Sequence, residues 1–205
     1  LISIGSGIAL GWLAKPLFKP GPMIFESGVQ TAFRFNSYIG LAVAFRLGGE
    51  AGTSLMALII GFAVPLANMA AVHALAHRNK GSLLKEMAKN PLLLATVSGT
   101  LFNILGGSLP EVMIHLFTRM GSASIALGLL MVGAGLKLQG LSEARGISTY
   151  FILVKLIVLP AIALALSIAF ALPPLQMQIA VMFCALPTAS SAYVLAALMG
   201  GNAPL

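Results

Sequence analysis

The sequence has little charge and no aspartate. Only 8% of its residues are charged, whereas an ordinary soluble domain has about a quarter, and 59% are hydrophobic. A soluble chain with so few polar side chains cannot cover its own surface, so the composition predicts a protein that lies largely in lipid. The single cysteine, Cys184, excludes an intrachain disulfide.

The scarcity of acids and cysteine also excludes several kinds of site. His73, His77 and His115 have no cysteine or aspartate nearby, so no metal or cofactor is predicted. His-Glu-x-x-His and Gly-x-Ser-x-Gly are absent, so we predict no catalytic residue and no membrane-embedded protease. The net charge of +7 comes from scattered lysines and arginines without interleaved aromatics, which does not indicate nucleic-acid binding.

Apolar runs dominate the chain. A membrane helix needs about 20 mainly apolar residues, and seven such stretches are visible, with Pro173-Pro174 separating the last two. The runs show no period-2 alternation, and lipid favours helices because backbone groups must be satisfied within the span. The sequence therefore predicts an all-α polytopic membrane protein. The stretches are residues 1–17, 28–47, 51–77, 90–105, 112–136, 147–172 and 174–199.

Basic residues collect in alternate loops. Eight of the 12 lysines and arginines fall on one predicted side, which the positive-inside rule assigns to the cytoplasm. We expect a multi-pass location in a plasma membrane or bacterial inner membrane. The eight residues are Lys15, Lys19, Arg78, Lys80, Lys85, Lys89, Lys137 and Arg145.

An internal repeat is suggested by two Gly-Gly pairs. Gly48-Gly49 and Gly200-Gly201 are 152 positions apart, and this offset places residues 35–40 on residues 187–192. Both segments have small polar residues in mid-span. The offset predicts seven spans of a five-plus-five repeat whose halves are inverted, an arrangement typical of secondary transporters.

At these residues the sequence resembles the auxin efflux carrier family, which includes bacterial organic-acid permeases. The resemblance covers nearly the whole chain and implies ten helices, seven of them present here, with two interrupted helices that cross. It also implies transport by an elevator-type movement. The matching segments are Arg34–Gly40, Asn90–Leu94, Ser124–Leu136, Lys155–Pro160 and Leu186–Ala192.

This resemblance implies a division of the chain into parts. Residues 1–75 and 146–205 are the expected transport parts of the two repeats, and residues 90–136 are the expected scaffold part of the second repeat. Residues 76–89 are the expected cytoplasmic basic loop between them.

Pro187 is expected to break the seventh span. A mid-span proline removes a helical hydrogen bond, and the resulting half-helix presents free N–H groups to an anion. Thr188, Ser190 and Ser191 then either cap that half-helix or bind a carboxylate. The alternative is a simple kink whose hydroxyls bond to carbonyls one turn back.

The second span carries the matching polar residues. Asn36 and Ser37 are candidate substrate ligands, or else they form a structural hydrogen bond between helices. Tyr38 either stacks on a flat substrate or packs in the bundle. Gly40 permits a helix break or a close approach of two helices.

Two basic residues fall inside predicted spans. Arg34 either holds an anion or extends its side chain to the membrane surface. For Lys155, near the start of the sixth span, we expect the side chain to extend to the membrane surface.

Together these features predict a secondary transporter or efflux permease for a small organic anion. We expect a carboxylate to bind between Asn36-Ser37 and Thr188–Ser191, proton or sodium coupling, and a homodimer. The alternatives are a sodium-coupled symporter of the bile-acid type, or a receptor or membrane-embedded enzyme. A cation/proton antiporter is disfavoured because none of the five glutamates lies in mid-span.

Overall fold

The computed structural model describes residues 1–76, 91–134 and 145–189, together with residues 192, 195 and 196. These residues form helices joined by short turns, and no strand occurs among them, which confirms the all-α prediction. Each of the seven apolar stretches contains helix. The helices are α1 (Ile2–Phe18), α2 (Pro22–Gly28), α3 (Ser37–Ala76), α4 (Pro91–Ile104), α5 (Glu111–Ala134), α6 (Arg145–Ala169) and α7 (Pro174–Ala185).

Glycine and proline set the limits of the central helices. α3 is kinked at Gly48 and Gly49, and Gly49 has φ of 55° and ψ of −137°, a conformation that only glycine adopts easily. The kink separates the second predicted span from the third. Pro174 begins α7 at a position where the N–H that proline lacks has no helical partner anyway. The break predicted at Pro173-Pro174 is therefore confirmed.

A π-helical turn interrupts α6 at Val154–Val158. Leu159 donates its N–H to the carbonyl of Val154, one residue further back than in an α-helix, and Pro160 has no N–H to donate. The carbonyl of Lys155 is thereby left without its usual donor. Such turns often lie at functional sites, and this one lies where α6 meets the residues around Pro187.

α1 and α6 run antiparallel. The rings of Phe18 and Tyr150 lie 5.4 Å apart, and the Tyr150 hydroxyl donates to the carbonyl of Leu10 at 2.9 Å. The end of α1 therefore meets the start of α6, so Lys19 and Arg145 lie at the same end of the bundle, as the charge pattern predicts. Arg78, Lys80, Lys85, Lys89 and Lys137 lie outside the described residues.

The described buried core comes from α1, α2, α3, α6, α7 and the segments that join α2 to α3 and follow α7. α4 and α5 present large apolar side chains to the outside instead, with Ile104, Val112 and Leu130 between 69% and 77% exposed. Two helical stretches in the described residues are long and apolar enough to cross a membrane, Pro22–Leu75 and Arg145–Ala169, while α1 and α7 are shorter apolar helices. The division into transport and scaffold parts and the inverted repeat stay predictions.

Candidate binding site between two helix breaks

The first break separates α2 from α3. After α2 the chain makes a 3₁₀ turn at Val29–Ala32, leaves the helix, and re-enters it at Ser37. Asn36 caps the new helix, because its Oδ1 accepts the backbone N–H groups of Tyr38 and Ile39, both at 3.1 Å. This side chain fixes the point at which the helix resumes.

Asn36 also holds a donor that the cap does not use. The residue is 2% exposed, and its Nδ2 makes no hydrogen bond within the part of the chain that the structure describes. Leaving a buried amide donor without an acceptor costs about 1–3 kcal/mol. Nδ2 therefore marks a place where an acceptor from outside the described residues would stabilise the protein.

The second break follows α7. Leu186 has left the helix, with φ of −60° and ψ of 140°, and residues 186–189 are non-helical. The cause is Pro187, whose ring disfavours the α conformation in the preceding residue and which lacks the N–H needed to continue the ladder. The break predicted at Pro187 is therefore present.

Within the described residues, two hydrogen bonds join the two breaks, and a third joins the first break to Ala192, just beyond the second. The Asn36 N–H donates to the Pro187 carbonyl at 2.9 Å, and the Thr188 hydroxyl donates to the Thr31 carbonyl at 3.2 Å. The Gln30 amide donates to the carbonyl of Ala192 at 3.3 Å. Backbone groups that a broken helix leaves unpaired are thus satisfied by the other broken segment. We call this region, residues 30–36 with residues 186–189, the crossing.

Gly40 does not form the first break; of the two possibilities that the sequence left open for it, the structure shows the close approach of two segments. Gly40 lies within α3, one turn after the break, which instead occupies residues 33–36. The absence of a side chain serves packing: a Cβ at Gly40 would lie 2.8 Å from Cδ1 of Leu186 and 3.4 Å from Sδ of Met56. The glycine lets α3 approach the second break closely.

Arg34 is held in a buried polar network. It is 5% exposed, and its Nη1 and Nη2 donate to Oε1 of Gln30 at 3.1 Å and to Oδ1 of Asn68 at 3.2 Å. The guanidinium therefore does not extend to the surface. It joins the first break to the second half of α3, and through Gln30 to the second break. A direct role of Arg34 in substrate binding stays a prediction.

Lys155 is buried beside the crossing, not at the surface where we expected it. It is 3% exposed and lines a cavity of about 120 Å³. Thr31 and Thr188, which hydrogen-bond across the crossing, line the same cavity together with Pro187. The remaining wall is apolar and comes from Ile152 and Leu156 of α6.

The other predicted ligands are placed as follows. Ser37 and Tyr38 are half-buried in the first turn of α3, next to the Asn36 cap. Thr188 is half-buried in the second break. Ser190 and Ser191 lie outside the described residues. The structure thus brings Asn36 and Thr188 into one region, and their contribution to substrate binding stays a prediction.

Sequence reasoning did not select Gln30, Thr31 and Asn68. Each is a polar residue within an apolar run, the same signal that selected Asn36. In the described residues, no group of three histidine, cysteine or acidic side chains comes together as a metal ion would require.

Comparison with known proteins gives one family. A family model described as "Membrane transport protein" matches residues 75–204, which is more than half of the chain. The matched range includes α4 to α7, the second break and Lys155. No curated protein and no solved structure matches the chain.

Proposed function

The chain belongs to the membrane transport protein family, that of the auxin efflux carriers, and we propose that it is a secondary active transporter for a small organic anion bearing a carboxylate. This family is one of transporters, not of enzymes. The proposal adds the substrate class, the binding site and the mechanism.

The observation that carries the proposal is the pairing of two broken helices around a buried donor. Non-helical backbone at membrane depth is tolerated where it is buried in protein or lines a cavity. Broken helices of this kind hold substrates in secondary transporters, with half-helix N-termini directed at anionic groups. Asn36 Nδ2 supplies a donor beside one such N-terminus, and the Thr188 hydroxyl holds the second break against the first through its bond to the Thr31 carbonyl.

The packing supports an elevator-type movement. The buried core is drawn from α1 to α3, α6 and α7, which are the helices assigned to the transport part. α4 and α5, assigned to the scaffold, contribute exposed apolar surface instead. A rigid transport part moving against such a scaffold would carry the crossing from one side of the membrane to the other. We further propose a multi-pass location, a homodimer, and coupling to protons or sodium.

The test is transport by the intact protein in proteoliposomes. The panel contains acetate, lactate, malonate, succinate and benzoate, with choline and glucose as non-anionic controls, each with and without imposed pH and Na⁺ gradients. We expect saturable movement of at least one carboxylate and none of choline or glucose. Dependence on the pH gradient or the Na⁺ gradient identifies the coupling ion.

A hydroxyl variant links transport to the crossing. Thr188→Val keeps the shape of the side chain and removes its hydroxyl, so the half-saturating concentration should rise several-fold. Thr118→Val is the control, since Thr118 lies on the exposed helix α5, outside the crossing, and its hydroxyl donates to the carbonyl of Ile114. Movement of choline or glucose without any carboxylate would refute the proposed substrate class.

A further inference from the structure

We propose that the ammonium of Lys155 binds the substrate carboxylate in the cavity that α6 forms with the crossing. This inference rests on the proposed function for the substrate's identity, and it assigns the charged part of the site to a residue outside the two broken helices. The sequence predicted a site built mainly from helix N–H groups and hydroxyls, with Arg34 either holding the anion or extending to the membrane surface. The structure points to a different cation.

The first argument is the position of Lys155. Its side chain is 3% exposed, and no described residue forms a hydrogen bond or an ion pair with it. A buried ammonium without a partner is costly, and in a membrane protein such a residue is retained where it serves a pathway or a ligand.

The second argument is how the neighbouring polar groups are used. The Thr31 hydroxyl donates to the Gly28 carbonyl at 2.6 Å, and the Thr188 hydroxyl donates to the Thr31 carbonyl. The Pro187 carbonyl accepts from Asn36. The threonine protons are therefore committed to the protein, and each of the Gly28, Thr31 and Pro187 carbonyls already accepts one hydrogen bond. No described residue accepts a hydrogen bond from the ammonium, so a ligand that completes this cavity would bring acceptor atoms and negative charge.

The third argument concerns size and rigidity. A cavity of about 120 Å³ is smaller than the roughly 300–1,000 Å³ of a drug-sized pocket, so it suits a carboxylate group or a very small acid. Lys155 lies in the π-helical turn at Val154–Val158, and Pro160, just after this turn, lacks the N–H that would restore the regular helical ladder. The cation is thus carried by an irregular segment packed against both threonines.

A cation in this cavity also separates two of the functional alternatives. Sodium sites in transporters use carbonyls and hydroxyls, and an ammonium beside the Thr31 and Thr188 oxygens would repel Na⁺. A sodium-coupled protein would have to place its ion elsewhere. The cavity between α6 and the crossing is therefore an anion site.

The experiment measures binding separately from transport. The purified intact protein in detergent is heated with and without acetate, malonate or benzoate, because a ligand that binds the native state raises the unfolding temperature. Four proteins are compared: wild type, Lys155→Met, Lys155→Arg and Lys15→Met. Lys15 is an exposed lysine at the end of α1, so its variant controls for loss of one positive charge.

We expect at least one carboxylate to stabilise wild type and Lys15→Met equally. Lys155→Met should need at least about tenfold more carboxylate for the same stabilisation, because a hydrogen bond to a charged group is lost. Lys155→Arg should retain most of the effect. Because Lys155→Met removes a buried charge without changing the length of the side chain much, it should fold at least as stably as wild type.

Two outcomes overturn the inference: equal stabilisation of wild type and Lys155→Met, or no stabilisation of wild type by any of the three acids. Stabilisation that depends on Lys155, combined with no carboxylate transport in proteoliposomes, would instead overturn the proposed transport function and leave the anion site standing.

Discussion

Asn36 has two separable roles at the first break. Its Oδ1 caps α3, whereas its Nδ2 is the buried donor without a described acceptor. Asn36→Ala removes both, so it should lower stability by about 1 kcal/mol through loss of the cap, and it should also weaken carboxylate binding. Asn36→Ser keeps a capping oxygen, so only binding should weaken, by about tenfold if Nδ2 bonds a charged oxygen.

Thermal unfolding in detergent and carboxylate-dependent transport together check this prediction. Asn103→Ala, a change at an exposed residue of α4, is the matched control. Wild-type affinity in Asn36→Ser would show that Nδ2 does not touch substrate. Unchanged stability in Asn36→Ala would show that the cap is dispensable.

The sequence allowed part of the site to be predicted at this scale. Asn36, Pro187 and Thr188 were found because a mid-span amide and a mid-span proline each require an explanation in lipid. Lys155 was wrongly assigned to the surface. The sequence gives the position of a lysine along its helix. Whether its side chain reaches water depends on the segments that pack against that helix, and for Lys155 these are the residues of the crossing.

At the scale of elements, Gly40 controls the approach of α3 to the second break. A Cβ at Gly40 would meet Leu186 at 2.8 Å, whereas a Cβ at Gly61, also in α3, would meet nothing within 4 Å. Alanine is favoured over glycine in a helix by about 1 kcal/mol. Gly61→Ala should therefore leave the unfolding temperature unchanged or raise it. Gly40→Ala should raise it less, because the new methyl group meets Leu186, and Gly40→Val should lower it by several degrees.

Thermal unfolding of the Gly40 and Gly61 variants in the same detergent is the measurement. Gly61→Val serves as the control for a β-branched residue in α3. If Gly40→Val and Gly61→Val unfold at the same temperature, the contact between Gly40 and Leu186 does not limit the packing of the crossing.

The location of the first break was predicted only approximately. Residues 33–36 contain neither glycine nor proline, so local backbone preference gave no signal for a break there. The sequence offered Gly40, a few residues further on, as the possible break. The break is instead set by the Asn36 cap and by hydrogen bonds to a segment far along the chain. The 152-residue offset places residues 186–189 on residues 34–37, which are the two breaks, but the inverted repeat itself stays a prediction.

At the scale of the molecule, the elevator proposal requires α3 and α7 to move together. Gly48 in the α3 kink lies next to Leu175 at the start of α7, since a Cβ on Gly48 would lie 3.4 Å from Cγ of Leu175. Gly48→Cys with Leu175→Cys, in a Cys184→Ala background, places two thiols there without entering the cavity. Linking them with a short bifunctional thiol reagent should leave carboxylate transport unchanged.

Transport before and after linking, in the same preparation, gives the result, and each single-cysteine variant treated with the reagent is the control. Transport that stops on linking and returns when the link is reduced would mean that α3 and α7 move relative to each other, which the elevator proposal does not allow.

The helical class and the membrane environment followed from composition because lipid leaves few alternatives to helix. Composition did not predict the ten-helix arrangement or the inverted repeat, which came from the family resemblance and the 152-residue offset and stay predictions. They depend on how distant spans pack, and hydropathy carries little of that information.

The hydrogen bonds across the crossing also constrain how the protein can be made. Thr31 and its partner Thr188 are 157 residues apart, so the first break leaves the ribosome long before its partner exists. Until then Gln30, Arg34 and Asn36 sit in a broken helix whose backbone groups lack the acceptors and donors of the second break, and polar groups in a bilayer are expensive while unpaired. The hydrogen bonds that join the two breaks can therefore form only after Pro187 and Thr188 have been synthesised. A chain truncated before Pro187 would leave the first break without these partners.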